Sequence, residues 1–151
     1  MVDLAGLYSS AFCRIMYMEK TFDFLKNRTK VNFVSTINDG KPSCRPFGDP
    51  VLFNGNIYAL THSGKNVAKQ IAQNNNVCIV AYDGENWIRI YCQLVDDSSN
   101  IEAKKAIIAE FDWAEQAGYT LDAPDFTIYR FANATSTIYD EDGNVLAEEK
   151  F

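Results

Sequence analysis

The sequence predicts a mainly β fold (α+β), an antiparallel barrel with peripheral helices covering its ends. Three observations predict it. Four Asx-Gly pairs, Asp39-Gly40, Asn54-Gly55, Asp83-Gly84 and Asp142-Gly143, each lie between strand-like runs, and such pairs accept the positive φ that two-residue hairpins demand. Only three segments carry helical spacing. The chain has 151 residues, 47% hydrophobic and 23% charged, which is one domain spanning 1–151 and enough to bury roughly 70% of its unfolded surface.

The elements follow in order. Glu19 to Asn27 is a first helix, with Phe22 and Leu25 on one face. Val31 to Ile37 alternates as a strand, and Ser43 to Phe47 returns from the Asp39-Gly40 turn. Val51 to Phe53 and Ile57 to Thr61 flank Asn54-Gly55. Lys65 to Gln73 is a second helix, with Val67, Ala68, Ile71 and Ala72 on one stripe. Val77 to Tyr82 and Trp87 to Val95 flank Asp83-Gly84. The third helix, Ser99 to Phe111, opens on a capping box of Ser99 and Glu102 and carries the stripe Ile101, Ile108 and Phe111. Phe126 to Phe131, Thr135 to Tyr139 and Val145 to Leu146 complete the strands. A β-sandwich is the alternative, but it has no need of a helix between the fourth and fifth strands.

Composition closes off several functions. The formal net charge is −6, the wrong sign for a nucleic-acid footprint. No apolar run approaches a membrane span of about 20 residues. Cys13, Cys44, Cys78 and Cys92 show no CxxC spacing, and the single His62 leaves no Cys/His zinc set, so no metal is expected. Unpaired thiols, mostly buried, fit a reducing cytoplasm. The first 17 residues contain an early Asp3 and no basic stretch, so they read as an N-terminal extension and not as a signal peptide. There is no phosphate loop of the GxxxxGK[ST] type and no GxGxxG turn. The carboxylates at Asp140 to Asp142 and at Glu148 and Glu149 read as a solvated turn and tail.

Three constellations remain. Thr61-His62-Ser63-Gly64-Lys65-Asn66 joins a strand to a helix and gathers hydroxyls, a cation and an amide at the helix N-terminus. Such a place suits an anion, and a plain helix with Ser63 as its N-cap fits the same residues. Cys44-Arg45-Pro46-Phe47 puts an Arg in mid-strand beside a Pro that cannot donate to the ladder. That marks an edge or bulge which a ligand can approach, or an edge whose Arg snorkels over Phe47. Trp87 follows the third turn, where it serves either a planar ligand or a core or interface.

Together these pieces resemble the FMN-binding split barrel of pyridoxamine 5'-phosphate oxidase-like proteins. The carrying residues are DGKPSCRPF, then NGNIYALTHSGKNVAKQIAQNNNV, then CIVAYDGENWIRI. They cover somewhat under half of the chain well. The resemblance implies an antiparallel split β-barrel that dimerises with FMN at the subunit interface. It implies that Arg45, Lys65 and Asn66 hold the phosphate with help from Thr61 and Ser63. The backbone of Pro46 and Phe47 would run along the isoalloxazine edge, and Trp87 would lie beside the flavin. The implied activity is an FMN-dependent oxidoreduction of a small-molecule substrate, with reduced nicotinamide as a hydride donor. A non-catalytic flavin- or haem-binding module stays open as the alternative, and so does a deazaflavin in the same cleft. No residue is assigned a catalytic role; Tyr82, Tyr91 and His62 are the titratable groups near the implied site. The chain departs from the oxidase proper at Pro50, where the oxidase has a substrate-binding Lys, and at its last residues, which lack the oxidase's terminal Arg motif. Oxidation of pyridoxamine 5'-phosphate is therefore not expected.

Overall fold

A computed structural model describes residues 17–151. The extension proposed for the first 17 residues, with Cys13, lies outside the described residues apart from Tyr17. Residues 17–23 are helical and continue into a π-helical stretch, Phe24–Arg28; together they form α1. Phe24 and Leu25 are the apolar side that α1 buries. The strands are β1 Asn32–Asn38, β2 Lys41–Phe47, β3 Val51–Phe53, β4 Asn56–His62, β5 Asn76–Tyr82, β6 Trp87–Asp96, β7 Phe126–Tyr139 and β8 Val145–Lys150. Helix α2, Asn66–Gln73, follows β4, and α3, Ile101–Glu110, follows β6.

Two of the four predicted turns are two-residue hairpins. Asp39 and Gly40 have φ of 50° and 74°, and Asn54 and Gly55 have 48° and 71°, the left-handed pair that short hairpins require. The other two are wider, because an aspartate organises each. The Asp83 carboxylate accepts the N–H groups of Glu85 and Asn86 at 3.0 and 2.7 Å. Asp140 accepts both the N–H and the side-chain amide of Asn144. In each case the side chain takes over bonds that a tight turn would give to backbone.

All strand pairs are antiparallel, in the order β2-β1-β5-β6-β7-β4-β3, and β8 pairs the far half of β7. The barrel is split: β2 and β3 end the path and do not pair with each other. The runs predicted as two strands after residue 126 are one, β7. Asn133, at φ 50°, and a register shift opposite Tyr91 and Gln93 absorb the irregularity between them.

One core fills the barrel, drawn from Ile57, Ile79, Ile88, Ile90, Leu94 and Phe131 with Phe24 and Leu25 of α1. A second lies between β4 and α3, around Tyr58, Leu60, Ile107, Phe126 and Ile128. β4 is therefore apolar on both faces, which explains why its interior does not alternate.

Helix α3 differs from its prediction in cap and in face. Asn100, not Ser99, caps it, accepting from the Ala103 N–H at 3.1 Å. Its buried residues are Ala103, Lys104 and Ile107, and Ile101 is exposed. The lysine is tolerated because its stem packs inward while Nζ sits 4.8 Å from the centroid of Phe126. The predicted solvated tail is also a structural element. Glu149 accepts from the N–H groups of Lys20 and Thr21 and from the Thr21 hydroxyl, tying β8 to α1. Of the described cysteines only Cys92 is buried; Cys44 is exposed and Cys78 half-buried. Both of these flank Ser35 on the outer sheet face, where alternation turns them out of the core.

The start of α3 is anchored by Tyr58, whose hydroxyl donates to Asp97 Oδ2 at 2.8 Å. Burial, and then the Asp97 carboxylate, push this phenol up to about 12. Its pKa is raised in the folded chain, so its contribution is complete below the free phenol's value near 10. It is lost as pH rises through about 12. Tyr58→Phe is expected to cost about 1.5–3 kcal/mol at neutral pH, the range for a hydrogen bond to a charged group. It is also expected to flatten the alkaline limb of the stability profile, as urea denaturation at stepped pH would record.

Candidate functional site

Where the barrel is split, the end of β2 faces the β4–α2 junction across a cleft of about 330 Å³. β2 supplies Arg45, Pro46 and Phe47, and the junction supplies Thr61 and Lys65. The fold thus brings these five sequence-predicted residues to one place. β2 is an edge strand, the position in which a proline costs no ladder bond. Pro46 is paired there with Phe33 of β1.

Arg45 is held by four hydrogen bonds within the chain. Its Nη1 donates to Thr36 Oγ1 at 2.7 Å and to the Val34 carbonyl at 3.3 Å. Its Nη2 donates to Ser43 Oγ at 2.7 Å and to Gln70 Oε1 at 2.6 Å. Thr36 and Gln70 are buried, so the guanidinium ties α2 to β1 and β2 while lining the cleft. Among the described residues Nε makes no such bond, which leaves one donor free for a ligand.

The N-terminus of α2 is open. Lys65 occupies the cap position with an extended backbone, and no side chain accepts from the helix's first N–H groups. The Ser63 cap is not formed. The backbone instead makes a tight turn in which Lys65 N–H donates to the His62 carbonyl at 3.0 Å, while Ser63 N–H goes to Asp125. Ser63 and Asn66 are exposed at the head of this turn and are not among the residues lining the cleft. Lys65 makes no ion pair among the described residues.

Two residues that sequence reasoning missed form the opposite wall, Trp113 and Tyr119. They lie in the turn-rich segment after α3, which His62 holds in place. The imidazole stacks on Tyr119 at 4.2 Å and 14°, and Nε2 is 3.1 Å from the Ala117 carbonyl. Nδ1 lies 3.1 Å from Asp125 Oδ2, but out of line for a hydrogen bond, and is buried. A neutral ring can donate from only one nitrogen, so this contact with Asp125 is a charge pair only when the ring is protonated. Trp113 stacks on Phe111 at 4.9 Å and meets Tyr119 edge-on at 6.0 Å. Burial, and then Asp125, raise the Tyr119 phenol above its usual value.

Trp87 is not among the residues lining the cleft. It stacks on Tyr139 at 4.3 Å, with the Arg89 guanidinium 5.4 Å from its ring. Tyr82 and Tyr91 are likewise outside the cleft, exposed on the outer sheet face. Phe33, Ile37 and Val80 are exposed apolar side chains on the same outer face of β1 and β5, with Ser35 and Arg89 set among them.

No protein-family model matches the chain, and no curated protein matches it significantly. Solved structures do. A NimC/NimA family protein from Clostridium acetobutylicum superposes with a TM-score of 0.84 at 22% identity, over 93% of this chain and 96% of that one. A protein from the same organism, related to general stress protein 26 and described as of the pyridoxinephosphate oxidase family, gives 0.62 at 16% identity over 91% and 94%. General stress protein 26 from Bacillus anthracis gives 0.57 at 16% over 87% and 98%. At these identities the likeness is one of fold: the chain is an antiparallel split β-barrel of the architecture found in general stress protein 26 and pyridoxine phosphate oxidase-family proteins.

Proposed function

We propose that the cleft binds FMN and that the protein is an FMN-dependent oxidoreductase, active as a homodimer. The observation that carries this reading is the open N-terminus of α2 with Lys65 at its head, set in a cleft walled by Phe47, Trp113 and Tyr119. Free N–H groups and an unpaired cation suit a phosphate, and the aromatic walls suit a planar ring system. Lys65 and the first turn of α2 bind the phosphate, with Thr61, Ser63 and Asn66 contributing polar groups and Arg45 its Nε–H. The backbone of Pro46 and Phe47 runs along the ring edge. FMN held there would supply two-electron redox chemistry, with a reduced nicotinamide or a reduced substrate as the hydride donor.

A single protomer's cleft of about 330 Å³ is at the small end for a cofactor site, as half of a shared site would be. The outer face bearing Phe33, Ile37, Val80, Tyr82 and Tyr91 is the surface that a second copy would cover. Trp87, on that face, reaches a flavin from the second copy. Among the described residues no helix is long and apolar enough to cross a membrane.

One observation favours a second reading, a non-catalytic flavin- or haem-binding module. The only histidine is engaged with Ala117, Tyr119 and Asp125 and so is not free for proton transfer to a substrate. Titration of FMN into the purified protein, followed by flavin fluorescence, is expected to saturate at one FMN per chain, with light scattering giving a dimer. Absence of saturable quenching would sink the proposal. Multiple-turnover NAD(P)H oxidation by the loaded protein separates the enzyme from the module.

A further inference from the structure

A second cavity, about 420 Å³, lies at the opposite end of α2 from the FMN cleft, between the last turn of that helix and the β6–β7 ladder. Its floor is apolar, made by Ile71 and Leu94, both buried in the barrel core. Its polar groups are all acceptors or neutral. The C-terminus of α2 carries the negative end of the helix dipole. No basic residue lies in the last turn to offset it, and the chain leaves the helix at Asn74 in an extended conformation. Asp96 and Tyr129 are cross-strand partners, and both line the cavity. Asp96 uses Oδ1 to accept from the N–H and hydroxyl of Ser98, and Oδ2 takes no hydrogen bond among the described residues. Tyr129 is 3% exposed, yet its hydroxyl has no hydrogen-bond partner among those residues either. Its ring packs in the barrel core, while the oxygen itself is not enclosed and opens onto the cavity, left to water or a ligand there. Burial, and then Asp96, push it up to about 12, so it is neutral and its oxygen can accept.

No Lys, Arg or His lines the cavity. An anion would meet only like charge there, in a chain of net charge −6. A metal ion is a poor fit, since a single carboxylate is offered and no group of three His, Cys, Asp or Glu residues gathers among the described residues. The free carboxylate oxygen above an apolar floor suits an organic cation with an apolar body. We infer that this cavity binds a small primary ammonium ion, its charge between Asp96, the Tyr129 hydroxyl and the α2 C-terminal carbonyls, and its carbon chain against Ile71 and Leu94. The site is separate from the FMN cleft and stands or falls independently of it.

The test is a titration of the ¹⁵N-labelled full chain with n-butylammonium chloride, following backbone amide shifts. Saturable shifts are expected at Ile71 to Asn75, at Leu94 to Asp96 and at Tyr129. Potassium chloride at matched ionic strength should leave these amides unmoved. Asp96→Asn and Tyr129→Phe are each expected to weaken binding roughly tenfold. Tyr129→Phe should leave the unfolding midpoint in place, because the hydroxyl it removes has no protein partner. Absence of saturable shifts at these residues would overturn the inference. So would equal shifts with n-butanol, which would show a merely apolar cavity, or parent-like affinity in either variant. FMN titrations run on the same samples report on the other site separately.

Discussion

Lys65→Ala is expected to weaken FMN binding roughly 10- to 150-fold, the loss of one charged hydrogen bond of about 1.5–3 kcal/mol, without moving the unfolding midpoint. The protein is net −6, so long-range attraction does not assist a dianionic phosphate, and local cations must hold it. Lys65 is exposed and stands at the uncapped head of α2, so its removal strips nothing from the fold. Arg45→Ala is expected to behave differently. Four of the five guanidinium donors are spent on Thr36, Val34, Ser43 and Gln70. Deleting them removes the guanidinium bonds that join β1, β2 and α2, leaving Thr36 and Gln70 with their bond to each other, so stability falls by about 1–3 kcal/mol, and FMN affinity falls with it as α2 loosens. Lys69→Ala, an exposed lysine on the same helix, controls for lost charge. Fluorescence titration and urea denaturation of the three variants decide the matter. If Lys65→Ala binds FMN as tightly as Lys69→Ala, the phosphate has been placed at the wrong end of the cleft.

The largest effect on stability is expected from Phe126→Ala, at about 3–5 kcal/mol. Phe126 is 1% exposed and is the shared contact of three elements. It packs in the core beneath α3, meets Tyr119 edge-on at 5.3 Å, and lies under the Lys104 ammonium at 4.8 Å. Truncation opens a cavity that the rigid β4–β7 ladder cannot collapse into, and it leaves the buried lysine with no ring beneath it. Guanidinium unfolding would measure the loss. A variant unfolding within about 0.5 kcal/mol of the parent, the range of an ordinary surface change, would show that the second core contributes little. Tyr119 also loses its backing, so FMN affinity should fall in the folded fraction.

Most of the fold was legible because its signals are local. Asp39-Gly40 and Asn54-Gly55 demand positive φ at both turn positions, and they have it. Asp83-Gly84 and Asp142-Gly143 look the same in sequence but open wider, because Glu85, Asn86 and Asn144 offer donors to the aspartates. The Ser99 cap failed against its neighbour Asn100, an equally good capping residue one position nearer the helix. The α3 stripe failed because a lysine can bury its stem over a ring that arrives 22 positions later in the chain, Phe126. The cleft was half legible. Arg45, Pro46, Phe47, Thr61 and Lys65 sit on strands and a helix whose periodicity places them. Trp113 and Tyr119 sit in an aperiodic segment that is placed only by the distant His62. The sole histidine, at the end of a predicted strand, was the one available hint of that contact. Glu149 looked like a tail because its partners, Lys20 and Thr21, are at the other end of the sequence.

The pairing of β7 has a consequence for synthesis. It joins two pieces that otherwise share no ladder, the β2-β1-β5-β6 sheet and the β3–β4 hairpin. Translation at about 5–20 residues per second delivers the stretch between His62 and Phe126 over roughly 3–13 s. Throughout that interval β4, apolar on both faces, has emerged with only the three-residue β3 beside it and one edge unsatisfied. The nascent chain is therefore stickiest late in its passage from the ribosome, and the strand that seals it is among the last to arrive.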